Sequence, residues 1–408
     1  PRYAVLAERV ARGFVAGLLL IAALTAVYWL RTDPDHWLSS TIAVLIVTCP
    51  CALALATPVA LSVSAGRFVA LGVLPLRMRA LDALATSEWF VFDKTGTLTA
   101  GRPSIAAVHT TAGLDEAACL RHAAALAAES AHPVARALRR SLPSPGLAVR
   151  EVDHVPGAGV RALIDGREWR FGNPGFAAGE AVLDPRTRAF IAQHRTRGEL
   201  VSVLAGPEGV QAVVTFEDPP RPGVDTLPAG LRAEGVRQLA ILSGDAPESV
   251  ARLGRQLGIG DVQGEVSPAG KLAWVRARQA QGQALVLFGD GINDAPALAA
   301  ADASVSFADA TDLANASSDF LILGKDARVL VAARRLARRT RRNILQNLAW
   351  AAAYNLCAVP FAAAGWIPPW GAAIGMSLSS LLVVMNALRL NGPAGGRPGQ
   401  DTDEKRPA

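Results

Sequence analysis

Apolar length is the first constraint on this chain. Four stretches, residues 13–30, 38–64, 344–366 and 370–390, reach the roughly 17–25 apolar residues that a helix needs to cross a bilayer. No small-residue cleavage site follows the first, so it reads as a span rather than a signal peptide. Arginines set the expected orientation, because cytoplasmic flanks collect positive charge. Arg2, Arg9 and Arg12 precede the first span, and Arg67, Arg77 and Arg79 follow the second. Arg334, Arg335, Arg338, Arg339, Arg341 and Arg342 crowd the entry to the third, and Arg389 closes the fourth. The two short turns, 31–37 and 367–369, hold Arg31 alone. Both termini and the long middle segment are therefore expected in the cytoplasm, and the net charge of +6 is mostly a topology signal. A nucleic-acid surface would interleave basic and aromatic residues in a soluble patch, and the sequence has none.

The second span, TIAVLIVTCPCALALATPVALSVSAG, carries Cys49-Pro50-Cys51 at its middle. Proline removes a helical hydrogen bond, and broken backbone at membrane depth is tolerated where it lines a cavity or a site. A sulfur on each side of the break offers two soft ligands, suited to Cu(I) and also to Zn²⁺. The third span adds Tyr354 and Asn355, and the fourth adds Met376-Ser-Leu-Ser-Ser380. Thiolate, thioether and neutral oxygen, with no carboxylate in 344–390, favour a soft monovalent ion over a divalent one. Four cysteines are too few for a disulfide framework, and Cys119, in an Ala-rich helical stretch, reads as a small buried hydrophobe.

Residues 67–342 alternate short apolar runs with amphipathic helices, the pattern of an α/β fold with a parallel sheet. Three runs end in carboxylates: EWFVFDKTGTLT at Asp93, RQLAILSGD at Asp245, and ALVLFGDGINDAP at Asp290 and Asp294. Ligands bind at the carboxyl ends of parallel strands, so these loops are expected to converge. The chemistry is phosphoryl transfer. Asp93 can attack phosphorus and hold it as an acyl phosphate. Clustered carboxylates suit Mg²⁺, Lys271 adds a point charge, and Ser243 with neighbouring N–H groups can take phosphate oxygens. Two residues after Asp93 stands Thr95 rather than a second acid, so water is poorly activated and the phosphoenzyme persists.

DKTGT (93–97) with GDGINDAP (289–296) resembles the P-type ATPases, and Cys-Pro-Cys resembles their heavy-metal-transporting subclass, from about residue 5 to 391. The resemblance implies an α-helical membrane bundle of four spans plus an α/β, haloacid dehalogenase-like phosphorylation domain with an inserted α+β nucleotide-binding domain. It implies that Asp93 is phosphorylated, that Lys94, Thr95, Lys271 and Asp290 assist, and that Asp93, Thr95 and Asp290 hold Mg²⁺. Thr97, Ser243, Gly244, Asp245, Asn293 and Asp294 line the phosphate site; the family usually has Thr where Ser243 stands. His132, Gly157, Gly159 and Asn173 mark the ATP site, although Ala127 and Ala131 replace acids common there, with Glu129 as a stand-in. Cys49, Cys51, Tyr354, Asn355, Met376 and Ser380 are implied as Cu(I) ligands, and 347–390 look like the branch that serves cbb3-type cytochrome oxidase assembly.

The expected domains are two helices in 1–66, the phosphorylation domain in 67–99 and 217–342, the nucleotide-binding domain in 100–216, two helices in 343–391, and a disordered tail in 392–408. The family also implies a bacterial inner membrane location, contact with lipid and a copper chaperone. The chain contains no Thr-Gly-Glu and no Cys-x-x-Cys, so the actuator and N-terminal metal-binding domains are expected to be missing and the chain not to turn over alone. Rival readings are a zinc or cadmium pump, which calls for a carboxylate in the late spans, and a membrane-tethered phosphatase of the same catalytic fold, which calls for an acid at Thr95. A metal-sensing pseudo-pump would tolerate loss of Asp93, Lys271 or Asp290, and all three are present.

Overall fold

The computed structural model describes residues 17, 19–111, 113–128, 130, 132–155, 157–179, 183–290, 294–310 and 312–392. Asn293, Glu129, Ala131 and the tail beyond Gly392 lie outside the described residues. Two compact units form: one runs up to Thr86 and resumes at Val329, and the other is Ser87–Arg328. These junctions differ from the expected ones at 67 and 342, because one uninterrupted helix, Val329–Ala363, carries the arginine-rich segment together with the apolar stretch that follows it.

The first unit holds the apolar helices Leu19–Thr32, Trp37–Val47, Cys51–Ala70 and Pro369–Leu388, the long helix Val329–Ala363, and the short strand β1 (Val73–Pro75). Of the described residues, two segments are long and apolar enough to cross a membrane, Trp37–Ala70 (mean hydropathy 2.3) and Pro369–Asn391 (mean hydropathy 1.7). Leu19–Thr32 is shorter. The stretch 344–366 lies in the long helix as far as Ala363, where that helix ends, and is diluted by the amides of Gln346, Asn347 and Asn355.

The second span is broken where the proline predicts. Helix stops at Val47 and restarts at Cys51, with Pro50 at the new N-cap. Thr48 Oγ1 donates to the Val44 carbonyl at 2.7 Å and to Leu45 O at 3.1 Å, while Cys49 N–H turns to Ile46 O at 3.1 Å. Val44 O keeps its helical partner, Thr48 N–H, while the Thr48 hydroxyl and the tighter Cys49 turn satisfy Leu45 O and Ile46 O, which lose theirs at the break, as low-dielectric surroundings require. Small residues let the helices approach: Ala52, Ala56 and Ala351 pack with Val383, and Ala43, Val44 and Val47 pack with Ala358, Ala362 and Ala372. Polar contacts tie the same helices. Thr340 Oγ1 meets Ser64 Oγ at 2.8 Å, and Asn386 Nδ2 donates to Asn347 Oδ1 at 2.8 Å. Leu20, Leu24, Leu356, Trp366, Trp370 and Leu378 face outward, the surface a lipid-embedded bundle presents.

In the second unit the strands are β2 (Trp89–Phe92), β3 (Ser104–Thr110), β4 (Val149–Val155), β5 (Gly159–Ile164), β6 (Arg167–Gly172), β7 (Leu200–Gly206), β8 (Gly209–Glu217), β9 (Gln238–Leu242), β10 (Asp261–Gln263), β11 (Leu285–Phe288), β12 (Ala303–Phe307) and β13 (Phe320–Ile322). Strands β13-β12-β11-β2-β9-β10 pair in that order, all parallel. Their cores, WFVF, LAIL (239–242) and LVLF, are apolar and buried, as strands of a parallel sheet covered on its faces are. Strands β3-β8-β7-β6-β5-β4 form a separate antiparallel sheet, inserted between β2 and β9. Helices Glu116–Leu126 and Pro133–Ser141 pack on it, burying Cys119, Leu126, Leu138, Phe171 and Phe216. Cys119 is thus the small buried residue expected. The connecting segments run side by side between the sheets: Ala100 N–H donates to Pro219 O at 2.8 Å and Arg221 N–H to Leu98 O at 2.9 Å.

Candidate functional site

Register brings the three carboxylate loops to one edge. Phe92 pairs with Phe288 on β11 and with Ile241 on β9, so Asp93, Ser243 and Asp290 emerge together. Asp93 N–H donates to Phe288 O at 2.8 Å, which fixes that residue's backbone to the neighbouring strand. One carboxylate oxygen from each of Asp93, Asp290 and Asp294 lies within 4.8 Å of the other two. Lys271, in the helix Pro268–Ala280, donates to Asp93 Oδ1 at 2.5 Å and to Asp294 Oδ1 at 2.7 Å. All three of these side chains are buried.

One lysine does not balance three carboxylates. Burial pushes Asp93 up to about 8, with Asp294 adding to the shift and Lys271 opposing it. Burial and Asp294 push Asp290 up to about 7. Burial alone would lower Lys271, but Asp93 and Asp294 raise it above the ordinary lysine range, so its charge is secure. In place of those protons a divalent cation would neutralise the cluster and keep its carboxyls ionised, and oxygen-only donors are the set Mg²⁺ takes. The buried Thr97 Oγ1 has no hydrogen-bond partner among the described residues, and a phosphate oxygen at this loop would supply one.

The DKTGT loop is held by a second layer of contacts. Thr95 Oγ1 donates to Asp245 Oδ2 at 2.8 Å, and Lys94 Nζ pairs with the same oxygen at 2.8 Å. Burial would raise Asp245, yet Lys94 and hydrogen bonds from Lys94, Thr95 and Ser243 hold it below the usual carboxylate range. Buried Ser243 accepts from Asp245 N–H at 3.2 Å, while Gly244 is exposed beside it. Gly96 adopts φ +74°, and a Cβ there would lie 1.4 Å from Asp290 Oδ2. Only glycine fits.

Arg221, Asp218 and Asp309 escaped the sequence reading. Arg221 is 5% exposed; its Nε and Nη2 donate to Gly96 O at 3.1 and 2.7 Å, and its guanidinium pairs with Asp309 at 3.0 Å and stacks 3.8 Å over Phe307. Asp218 accepts from Thr99 Oγ1 at 2.5 Å and from the N–H groups of Gly101 and Arg102. The Pro-rich run EDPPRPG reads as an exposed turn, and nothing in it signals burial of an arginine.

The residues expected at the adenosine end line a separate cavity of about 400 Å³, which shares no lining residue with the carboxylate cluster. His132, Gly157, Gly159 and Asn173 are all in its wall, with Phe171 and Ser202. His132 Nδ1 accepts from Val134 N–H at 3.3 Å, so it is also a helix cap. Partial burial and Arg136 hold its imidazole below the ordinary histidine range, leaving it neutral at pH 7. Asn173 caps the next helix through Phe176 N–H at 2.8 Å and donates to Gly157 O at 3.2 Å. A Cβ on Gly159 would lie 2.4 Å from Phe171 O, so that glycine permits a close backbone approach. Ala127 is in the wall where an acid was looked for.

In the first unit Cys49 and Cys51 are joined in a disulfide. The two sulfurs are therefore adjacent, and a disulfide sulfur is no thiolate ligand, so only the reduced pair could offer the two soft ligands expected of them. Tyr354 packs against the cluster containing Val44 and Val47, just before the break, and a Cβ on Gly375 would lie 2.6 Å from its hydroxyl. Tyr354 therefore reaches both the broken span and the turn of Met376. Asn355, Met376 and Ser380 are partly buried.

Residues 88–302 match the haloacid dehalogenase-like hydrolases. The chain is 38% identical over 391 residues to the copper-exporting P-type ATPase of Mycobacterium tuberculosis, covering 94% of this chain and 50% of that one. It is 37% identical over 391 residues to the nitrogen fixation protein FixI of Rhizobium meliloti, covering 95% and 49%. Among solved structures, a zinc-transporting PIB-type ATPase crystallised in an E2.Pi state is similar with a TM-score of 0.73 at 29% identity, covering 94% of this chain and 63% of that one. The chain spans about half the length of the curated relatives it matches.

Proposed function

Since the chain belongs to the haloacid dehalogenase-like hydrolase family, and to the P-type ATPases within it, we propose that it is the catalytic and ion-site part of a pump that exports Cu(I) across a membrane. In this reading an Asp93 carboxylate oxygen attacks the γ-phosphorus of ATP. The new O–P bond replaces the bond to the β-phosphate oxygen, and ADP leaves. Lys271 supports the ionised nucleophile and offers positive charge to the phosphoryl oxygens. The Gly96–Arg221 contact keeps the loop in place. Asp93, Asp290 and the Thr95 carbonyl would hold Mg²⁺, which when bound neutralises charge on the transferring group. Thr95, engaged by Asp245, offers water no base, so the acyl phosphate lasts long enough to drive a conformational change.

The cavity around His132 and Asn173 receives the adenosine end of ATP, and residues 100–216 form the nucleotide-binding domain around it. Four spans, with 13–30 and 344–366 completing the bundle, enclose the ion at Cys49, Cys51, Tyr354, Asn355, Met376 and Ser380. The spans lie in a bacterial inner membrane with the catalytic unit cytoplasmic, lipid around them and a copper chaperone as donor; supply of copper to oxidase assembly is the finer role. One observation carries the reading: Asp93, Lys271, Asp290 and Asp294 meet at strand ends in a chain that also breaks a span at Cys-Pro-Cys. The zinc-transporting relative favours zinc as a second reading, but 344–390 hold no acidic residue for a divalent ion. Labelling of Asp93 by γ-labelled ATP tests the choice in the intact pump. Cu(I)-dependent label that vanishes in Cys49→Ala supports copper, and equal labelling with Zn²⁺ rejects it.

A further inference from the structure

Lys94 is the member of the nucleophile loop whose partners reach furthest from the carboxylate cluster. Its ammonium has three N–H donors. It pairs with Asp245 Oδ2 at 2.8 Å and donates to Ser249 Oγ at 2.6 Å. Ser249 lies in the first turn of the helix Pro247–Leu257, and its own proton goes elsewhere, to the carbonyl of Gly198 at 3.2 Å. Gly198 belongs to the inserted domain, directly after the helix Pro185–Thr196 and its C-cap Arg197.

The contact depends on glycine in two ways. Gly198 stands at φ +72°, and a Cβ there would lie 3.0 Å from Ser249 Oγ and 3.3 Å from Ser249 Cα. A hydroxyl has one proton and two lone pairs. With that proton committed to Gly198 O, a lone pair of Ser249 is turned toward Lys94. One side chain therefore closes a chain from Asp245 through Lys94 to the backbone of the inserted domain.

We propose that Ser249 is a positioning residue for Lys94, and that the inserted domain, through the Gly198 carbonyl, sets where that lysine's charge stands relative to the transferring phosphoryl group. This rests on the reading of Asp93 as the acceptor of phosphate from ATP. When the inserted domain leaves its seat, Ser249 loses the acceptor that orients it, and Lys94 is held by Asp245 alone. Delivery of nucleotide and placement of the lysine are thereby coupled without direct contact between them.

The test uses the full chain and two readouts. The first is the rate at which an amine-reactive reagent labels Lys94, followed by mass spectrometry; the second is single-turnover phosphorylation of Asp93 by ATP. Loss of a hydrogen bond to a charged group is expected to make Ser249→Ala label at Lys94 about fivefold faster and phosphorylate about tenfold more slowly at saturating ATP, with the half-saturating ATP concentration within about twofold of the parent. Ser249→Thr, which keeps the hydroxyl, stays near the parent in both. Gly198→Ala, which leaves Ser249 intact but crowds its contact, raises Lys94 labelling as Ser249→Ala does. Parent-like Lys94 labelling in Ser249→Ala, or a Ser249→Thr as slow as Ser249→Ala, overturns the proposal. If the parent chain takes no label from ATP, the functional reading fails, while Lys94 labelling still decides the role of Ser249.

Discussion

At the residue scale, the carboxylate cluster behaves as a charge problem with a pH signature. Asp93 and Asp290, raised to about 8 and about 7, bind protons more tightly folded than unfolded. Their contribution to stability is therefore fully present below the ordinary aspartate range near 3.8 and is lost as pH rises through about 7 and 8. Without divalent cation, the catalytic unit's unfolding temperature is expected to fall as pH goes from 5 to 9. Added Mg²⁺ should restore it, with an increment that grows with pH; an increment flat across that range contradicts the cluster as the binding site. Gly96→Ala combines positive φ with a Cβ on top of Asp290 Oδ2, so phosphorylation of Asp93 should be lost even where nucleotide binding at the separate cavity survives. Isothermal titration with ATP beside phosphorylation assays distinguishes these.

At the element scale, two strand connections and one broken helix position the candidate residues. The segments 98–102 and 217–221 are stitched by backbone bonds and by Asp218, and Arg221 closes the clamp on Gly96 O. Arg221→Ala takes its donors from the buried Gly96 carbonyl and its partner from the solvent-accessible Asp309, and leaving a buried carbonyl unpaired costs about 1–3 kcal/mol. The variant should unfold at lower temperature by calorimetry and phosphorylate more slowly, whereas Asp309→Asn, which spares the bond to Gly96, should be milder. Much of this architecture was legible in the sequence: the β runs ending at Asp93, Asp245 and Asp290, and the break at Pro50. Arg221 and Asp309 were not, because burial of an arginine is set by Phe307 and Gly96, residues remote from it in sequence.

At the scale of the whole molecule, ion binding and oxidation state are linked. The Cys49–Cys51 disulfide withholds both thiolates, so Cu(I) should bind only after reduction. Stoichiometric Cu(I) binding by the reduced chain, lost in Cys49→Ser and absent without reductant, is the expected titration; equal binding by the oxidised chain sinks the assignment. Local pattern by itself determined the break in the second span and the strand-end positions of Asp93, Asp245 and Asp290, and it proposed the nucleophile and the sulfur ligands, because each follows from side-chain chemistry within a few neighbouring residues. Tertiary structure alone decided the rest. It set the raised carboxylates, the buried Arg221 and the bridge from Lys94 through Ser249 to Gly198, since each depends on which distant groups share a low-dielectric space, and sequence spacing does not encode that distance.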